Sequence, residues 1–134
     1  MNDRPTAAEL IDAARLYLEK ELLPALSDAR LRFQTLVAAN VLAVAARELL
    51  AEEAALAEEH RALAALLGTQ GEPPAGLGEL RRAVRGQNEE LCRRIQAGAF
   101  DDPERWREAA AVVRRLVVRK LEVANPRYLQ AAGA

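Results

Sequence analysis

Reactive side chains are scarce in this chain. Its 134 residues include one cysteine, one histidine and one serine. Cys92 alone cannot form an internal disulfide, so nothing points to an oxidising compartment. A Ser–His–Asp triad would have to draw on Ser27, which fits a helix cap, and on His60. A Cys–His pair would need Cys92 and His60, neither of which lies in a catalytic motif. Metal ligation fares no better. His60 sits in Glu58-Glu59-His60-Arg61, which reads as a charged helix surface, and Ala57 stands where a Glu-x-x-His pairing needs its carboxylate. HExxH and CxxC are absent, so no metal and no cofactor is expected. The glycines at 68, 71, 76 and 78 follow helical rather than strand-like sequence, which argues against a phosphate-cradling loop.

Other shortages narrow the field further. Aromatic residues make up 4% of the chain and the net charge is −1, so there is neither a stacking platform nor a basic excess for nucleic acid. The longest charge-free helical run, residues 33–46, has fourteen residues, whereas a bilayer span needs about twenty. The N-terminus, Met-Asn-Asp-Arg-Pro-Thr, is polar and has no secretory h-region. A soluble cytoplasmic protein with no membrane partner is expected. No segment shows β-branched alternation, so no strand is predicted.

What the sequence has in abundance is helix-forming residues: 29 Ala, 21 Leu and 17 Arg. Thr6-Ala7-Ala8-Glu9 fits a capping box that opens a first helix, with Leu10, Ala14, Tyr17 and Leu18 at helical spacing and Pro24 ending or kinking it. Ser27 and Asp28 are candidate caps for a second helix. Its residues 33–46 are apolar or small nearly all round, which predicts the buried central helix of a bundle. Residues 54–67 form a third helical stretch with a Leu56, Leu63, Leu66/Leu67 stripe and Gly68 as C-cap. A Gly/Pro loop from residue 68 to 78 divides an acidic half, net −4, from a basic half, net +3. A fourth helix spans about residues 77–97, with a break possible at Gly86, and turns Leu80, Val84, Leu91 and Ile95 inward. Asp101-Asp102-Pro103-Glu104 opens a fifth, which carries a Trp106, Ala110, Val113, Val117 and Leu121 stripe and stops at Asn125-Pro126. The expected architecture is an all-α, four- to five-helix bundle in a single domain, residues 1–134.

Three features stand out as candidate sites. Arg114, Arg115 and Arg119 form a basic surface late in the fifth helix. Dipole matching accounts for such a face, and docking of an acidic partner or phosphate group is the functional alternative. Lys120 falls inside the apolar arc of that helix, either snorkelling over the core edge or paired, with Glu21 and Glu48 as candidate partners. Asn40 interrupts the charge-free helix. It is expected to be buried and to hydrogen-bond the chain near residues 124–128, with Tyr128 packing back on the bundle. Asn125, Pro126 and Tyr128 then join Asn40 as structural residues. A ligand-binding alternative has Asn40, Lys120 and Arg127 line a pocket.

Arg4-Pro5-Thr6-Ala7-Ala8-Glu9-Leu10, Leu23-Pro24-Ala25-Leu26, Val37-Ala38-Ala39-Asn40-Val41-Leu42 with Arg47-Glu48-Leu49, and Lys120-Leu121 with Asn125-Pro126-Arg127-Tyr128 occur in order along the chain. Together they resemble a bacterial family of short all-helical proteins of unknown function. Members of that family are often encoded beside aminoglycoside-kinase-like phosphotransferases and acyl-CoA dehydrogenases. Gln34 and Leu36 stand where members often carry His and Arg. The resemblance implies an accessory role in the catabolism of acyl or hydroxyacyl groups. The first expectation is therefore a non-catalytic accessory protein that docks on a kinase-like or acyl-CoA dehydrogenase-like enzyme. A small-ligand or acyl-group binding bundle is the alternative, and an enzyme of unrecognised type the third. Homodimerisation through an Ala-rich helix face is compatible with each.

Overall fold

A computed structural model describes residues 4–133. Every regular element among them is helical: α1 (Ala7–Tyr17), a π-helical segment (Leu18–Leu22), the short α2 (Leu23–Ala25), α3 (Ala29–Leu67), α4 (Leu77–Gln96), α5 (Pro103–Ala124) and α6 (Pro126–Ala132). The expected all-α helical bundle is what the structure shows.

Local chemistry sets the helix ends. Thr6 Oγ1 accepts from the Glu9 amide at 3.2 Å, and Glu9 Oε2 accepts from the Thr6 amide at 2.7 Å, which completes the capping box. Asp102 Oδ2 accepts from the amides of Glu104 and Arg105 at 3.0 and 3.1 Å and starts α5. α3 and α4 end in the same way. Gly68 has φ +67° and Gly98 φ +79°, the left-handed conformation that glycine adopts without strain. The following amides, of Thr69 and Ala99, reach back to Ala64 O and Arg94 O at 2.9 Å, a Schellman closure in each case. Pro24 acts upstream of itself. It cannot donate to the carbonyl four residues back, and the chain widens first, with the Leu23 amide donating to Leu18 O in π-helical register.

The expected second and third helices are one helix. No glycine or proline interrupts residues 29–67, and the charges at Arg47, Glu48, Glu52 and Glu53 do not break α3. Gly86 leaves α4 unbroken as well. The tail is not irregular after Asn125: Pro126 begins α6, where a missing amide costs nothing.

The chain divides into two compact units. The first comprises Met1–Ala51 with Val123–Asn125, and the second Glu52–Glu122 with Pro126–Ala134. The second holds the main core, in which Leu63, Leu66 and Leu67 of α3 meet Leu80, Val84 and Leu91 of α4, Phe100 of the connecting turn, and Ala109 and Leu116 of α5. Ile95, Trp106, Val113 and Val117, expected to face inward, are exposed. The true inward row of α5 runs through Ala109, Val112 and Leu116. The Arg94 guanidinium donates to Leu67 O at 2.8 Å and satisfies a C-terminal carbonyl of α3.

In the first unit burial is sparse. Of the apolar run expected to be central, only Ala39 and Ala46 are buried, while Phe33, Leu36, Val37 and Val41 are exposed. Leu10 and Tyr17 of α1 are exposed too. Arg15 bridges Asp12 and Glu19, both at 2.7 Å, and these bonds raise the affinity of its guanidinium for its proton. Arg32 closes the turn into α3 by donating to Leu23 O and Leu26 O at 2.8 and 3.0 Å.

Candidate functional site

A buried polar cluster lies in the second unit, against the leucine core. Residues 56, 59, 60, 63, 66 and 67 of α3 recur at steps of three and four, so Glu59 and His60 share the inward face with Leu63. Both are buried, at 5% and 8% exposure, which corrects their expected place on a charged surface. Glu59 Oε1 accepts from Lys120 Nζ of α5 at 2.8 Å and from Asn88 Nδ2 of α4 at 3.0 Å. Asn88 Nδ2 also donates to Val84 O at 3.0 Å. One carboxylate therefore ties three helices together. Beside it, Gln87 Nε2 donates to the His60 carbonyl at 3.2 Å. Gln87 Oε1 and His60 Nδ1 are buried without a hydrogen-bond partner among the described residues.

Lys120 is thus a paired ammonium, and its partner is Glu59 rather than Glu21 or Glu48, both of which are exposed. The ammonium and the amide both bind Glu59 Oε1, and no group of three His, Cys, Asp or Glu among the described residues could hold a metal ion.

The Asn40 expectation fails. Asn40 is exposed and makes no side-chain hydrogen bond among the described residues, and Tyr128 is 58% exposed rather than packed back. A polar bond from α3 to the end of α5 does exist, two turns further on. Arg47 Nε donates to Val123 O at 2.7 Å, within the first unit. Arg47 reaches where Asn40 cannot, because the longer side chain spans more distance and its guanidinium is a pure donor matched to a C-terminal carbonyl. Asn40 belongs to the first unit, and Lys120 and Arg127 to the second, where Arg127 is exposed on α6. Asn125 is exposed and Pro126 half-buried.

Residues 24–128, more than half of the chain, match a family described as a domain of unknown function (DUF6285). The chain belongs to this family. Comparison with curated proteins and with solved structures gave no match. The matched span takes in all of α3, α4 and α5, and so the Glu59–Lys120 clamp of this DUF6285 domain.

The same span contains the basic surface. Ala111, Arg114, Arg115, Val118, Arg119 and Glu122 recur at steps of three and four and form one open face of α5. Arg119 is committed: it pairs with Glu122 at 3.1 Å and Glu58 at 3.7 Å, which raises its proton affinity, the Glu122 hydrogen bond contributing most. Arg114 and Arg115 form no ion pair among the described residues. Sequence reasoning found these three arginines but missed the buried Glu59. The signal was available, since positions 59 and 60 complete the three-four spacing between Leu56 and Leu63.

Proposed function

We propose that this DUF6285 protein is a non-catalytic accessory subunit that docks on an acidic surface of a partner enzyme in the cytoplasm. The observation that carries this reading is the outer face of α5, where Arg114 and Arg115 are free of internal partners and stand beside Ala111 and Val118. Free guanidiniums beside apolar side chains suit recognition of carboxylates on a protein surface. The reactive inventory supports the same reading. His60 is buried, the Lys120 ammonium is held by Glu59, and Cys92 and Ser27 are isolated in sequence from any nucleophile-base pattern. The partner class follows from the family resemblance: an aminoglycoside-kinase-like phosphotransferase or an acyl-CoA dehydrogenase.

The test is size-exclusion chromatography of the chain mixed with each purified enzyme from the same genome. Co-elution is expected with one of them, and the double exchange Arg114→Glu, Arg115→Glu should abolish it while far-UV circular dichroism stays unchanged. Arg119 is left alone because its reversal would also break its bonds to Glu58 and Glu122. Co-elution that survives the double exchange, or no co-elution with either enzyme, overturns the proposal.

A further inference from the structure

The N-terminal half of α3 shows an apolar face to solvent that the first unit does not use. Ala39 and Ala46, one heptad apart, are buried, and away from them Phe33, Val37 and Val41 follow at steps of four, 67%, 47% and 59% exposed, with Leu36, 51% exposed, at the margin. Two unpaired charges bracket this face. Arg30 and Glu48 are eighteen positions apart, about five helical turns, so they stand on the same side as Phe33 and Val37, at opposite ends. Both are exposed and neither forms an ion pair among the described residues. Two exposed polar residues, Gln34 and Asn40, flank Val37 on either side, and Asn40 is the nearer to the midpoint between Arg30 and Glu48.

We propose that this face pairs with the same face of a second copy, α3 against α3, antiparallel. Charge decides the orientation. Antiparallel pairing sets Arg30 of each copy against Glu48 of the other, two symmetric ion pairs, whereas parallel pairing sets like charges together. The two-fold axis then passes at position 39, with Val37 and Val41 stacked across it. Asn40 of one copy lies about 3 Å along the axis from Asn40 of the other, from a rise of 1.5 Å per residue. An asparagine amide both donates and accepts, so it can pair with its own copy, and such a pair fixes register within an apolar seam. This explains the polar residue that the monomer leaves without a bond. The inference is independent of the reading of α5. A bilayer fits the face less well. α3 is long and apolar enough by length and composition to cross a membrane. Its charge-free run, however, is about 21 Å long at 1.5 Å per residue, against a hydrocarbon core of about 30 Å.

Sedimentation equilibrium of the full chain tests the pairing. Wild type is expected to be a dimer. Val37→Glu, a surface change in the monomer, should raise the dimer dissociation constant at least ~100-fold, since each dimer carries it twice near the centre of the interface. Unchanged helicity by circular dichroism confirms that the variant is folded. Arg30→Glu and Glu48→Arg should each weaken the dimer, and the double exchange should restore it, which a parallel pair would not do. A monomeric wild type, a dimer indifferent to Val37→Glu, or single exchanges that the double does not rescue would overturn the proposal. So would a monomer that floats with phosphatidylglycerol vesicles, because that outcome assigns the face to lipid.

Discussion

Removing the ammonium of Lys120 probes the clamp at its weakest point. The Glu59 side chain is 7% exposed and that of Lys120 is 63% exposed, so one member of the pair is desolvated and the other is wet. Breaking a fully buried pair from one side costs about 3–5 kcal/mol, because the charge left behind is uncompensated. An exposed pair is worth roughly 0.2–1 kcal/mol. Lys120→Met keeps the aliphatic stem over the core edge and leaves Glu59 with Asn88 alone. Water can reach the vacated side, and the expected cost lies between those limits, about 1–2 kcal/mol. A second substitution sharpens the test. Glu59→Leu added to Lys120→Met removes the stranded charge, while Asn88 Nδ2 keeps its bond to Val84 O. The double variant should therefore be more stable than Lys120→Met alone. Urea unfolding followed by far-UV circular dichroism measures both, with the change read from the midpoint at constant slope. The reasoning fails if Lys120→Met lies within about 0.3 kcal/mol of wild type, or if the double variant gains nothing over the single.

Further outcomes follow from the same structure. Gly86→Ala should stabilise by about 0.5–1 kcal/mol, because a Cβ there meets nothing within 4 Å in the middle of α4. Gly98→Ala should destabilise by about 1 kcal/mol or more, since φ is +79° and the new Cβ would stand 2.8 Å from Asp101 Oδ2; equal thermal midpoints for these two variants would contradict the assignment. Arg47→Met should cost about 1 kcal/mol by loss of the bond to Val123 O, read by urea unfolding, and no loss would show that bond to be dispensable. Hydrogen bonds from Arg81 and Arg94 hold the Glu52 and Glu90 carboxyls below the usual carboxylate range. Their contribution is complete above that range and declines as pH falls through the lowered values, so stability should drop on acidification and drop less in Arg81→Ala; an identical acid profile in that variant would refute the assignment.

The helix boundaries set by local chemistry were legible, whereas the expected break between residues 46 and 54 does not exist and α6 was not foreseen. A capping box, an Asp-Pro start and a left-handed glycine each act within four or five residues, and Thr6, Asp102, Gly68 and Gly98 do as their sequence context implies. Burial was less legible because it depends on what another helix brings. Residues 33–46 look central by composition, yet the neighbours that bury α3 pack on its leucine-rich end. Glu59 and His60 look exposed by composition, yet their spacing from Leu63 turns them inward. Period outranked polarity at that site. On α5 Lys120 stands four residues beyond the buried Leu116, but Val113 and Val117 of the expected arc are exposed, and the partner is Glu59 rather than Glu21 or Glu48. Asn40 was misjudged because an apolar surround was equated with a buried one.

α3 therefore reverses expectation in both halves: the apolar half faces water and the charged half carries a buried carboxylate. The second reversal is compensated inside the monomer, since Glu59 finds Lys120 and Asn88. The first is not. An exposed Phe33 or Val41 adds nothing to the stability of an isolated chain, because its hydrophobic contribution appears only when its surface leaves water, at about 25 cal/mol per Å². Single exposed apolar residues are ordinary, but three in a row on one helical face, with complementary charges at its ends and an amide able to pair with its own copy beside them, form a pattern that stability of the monomer does not require. In the proposed pairing that surface leaves water on association, so the sequence of α3 would specify a contact as well as a fold.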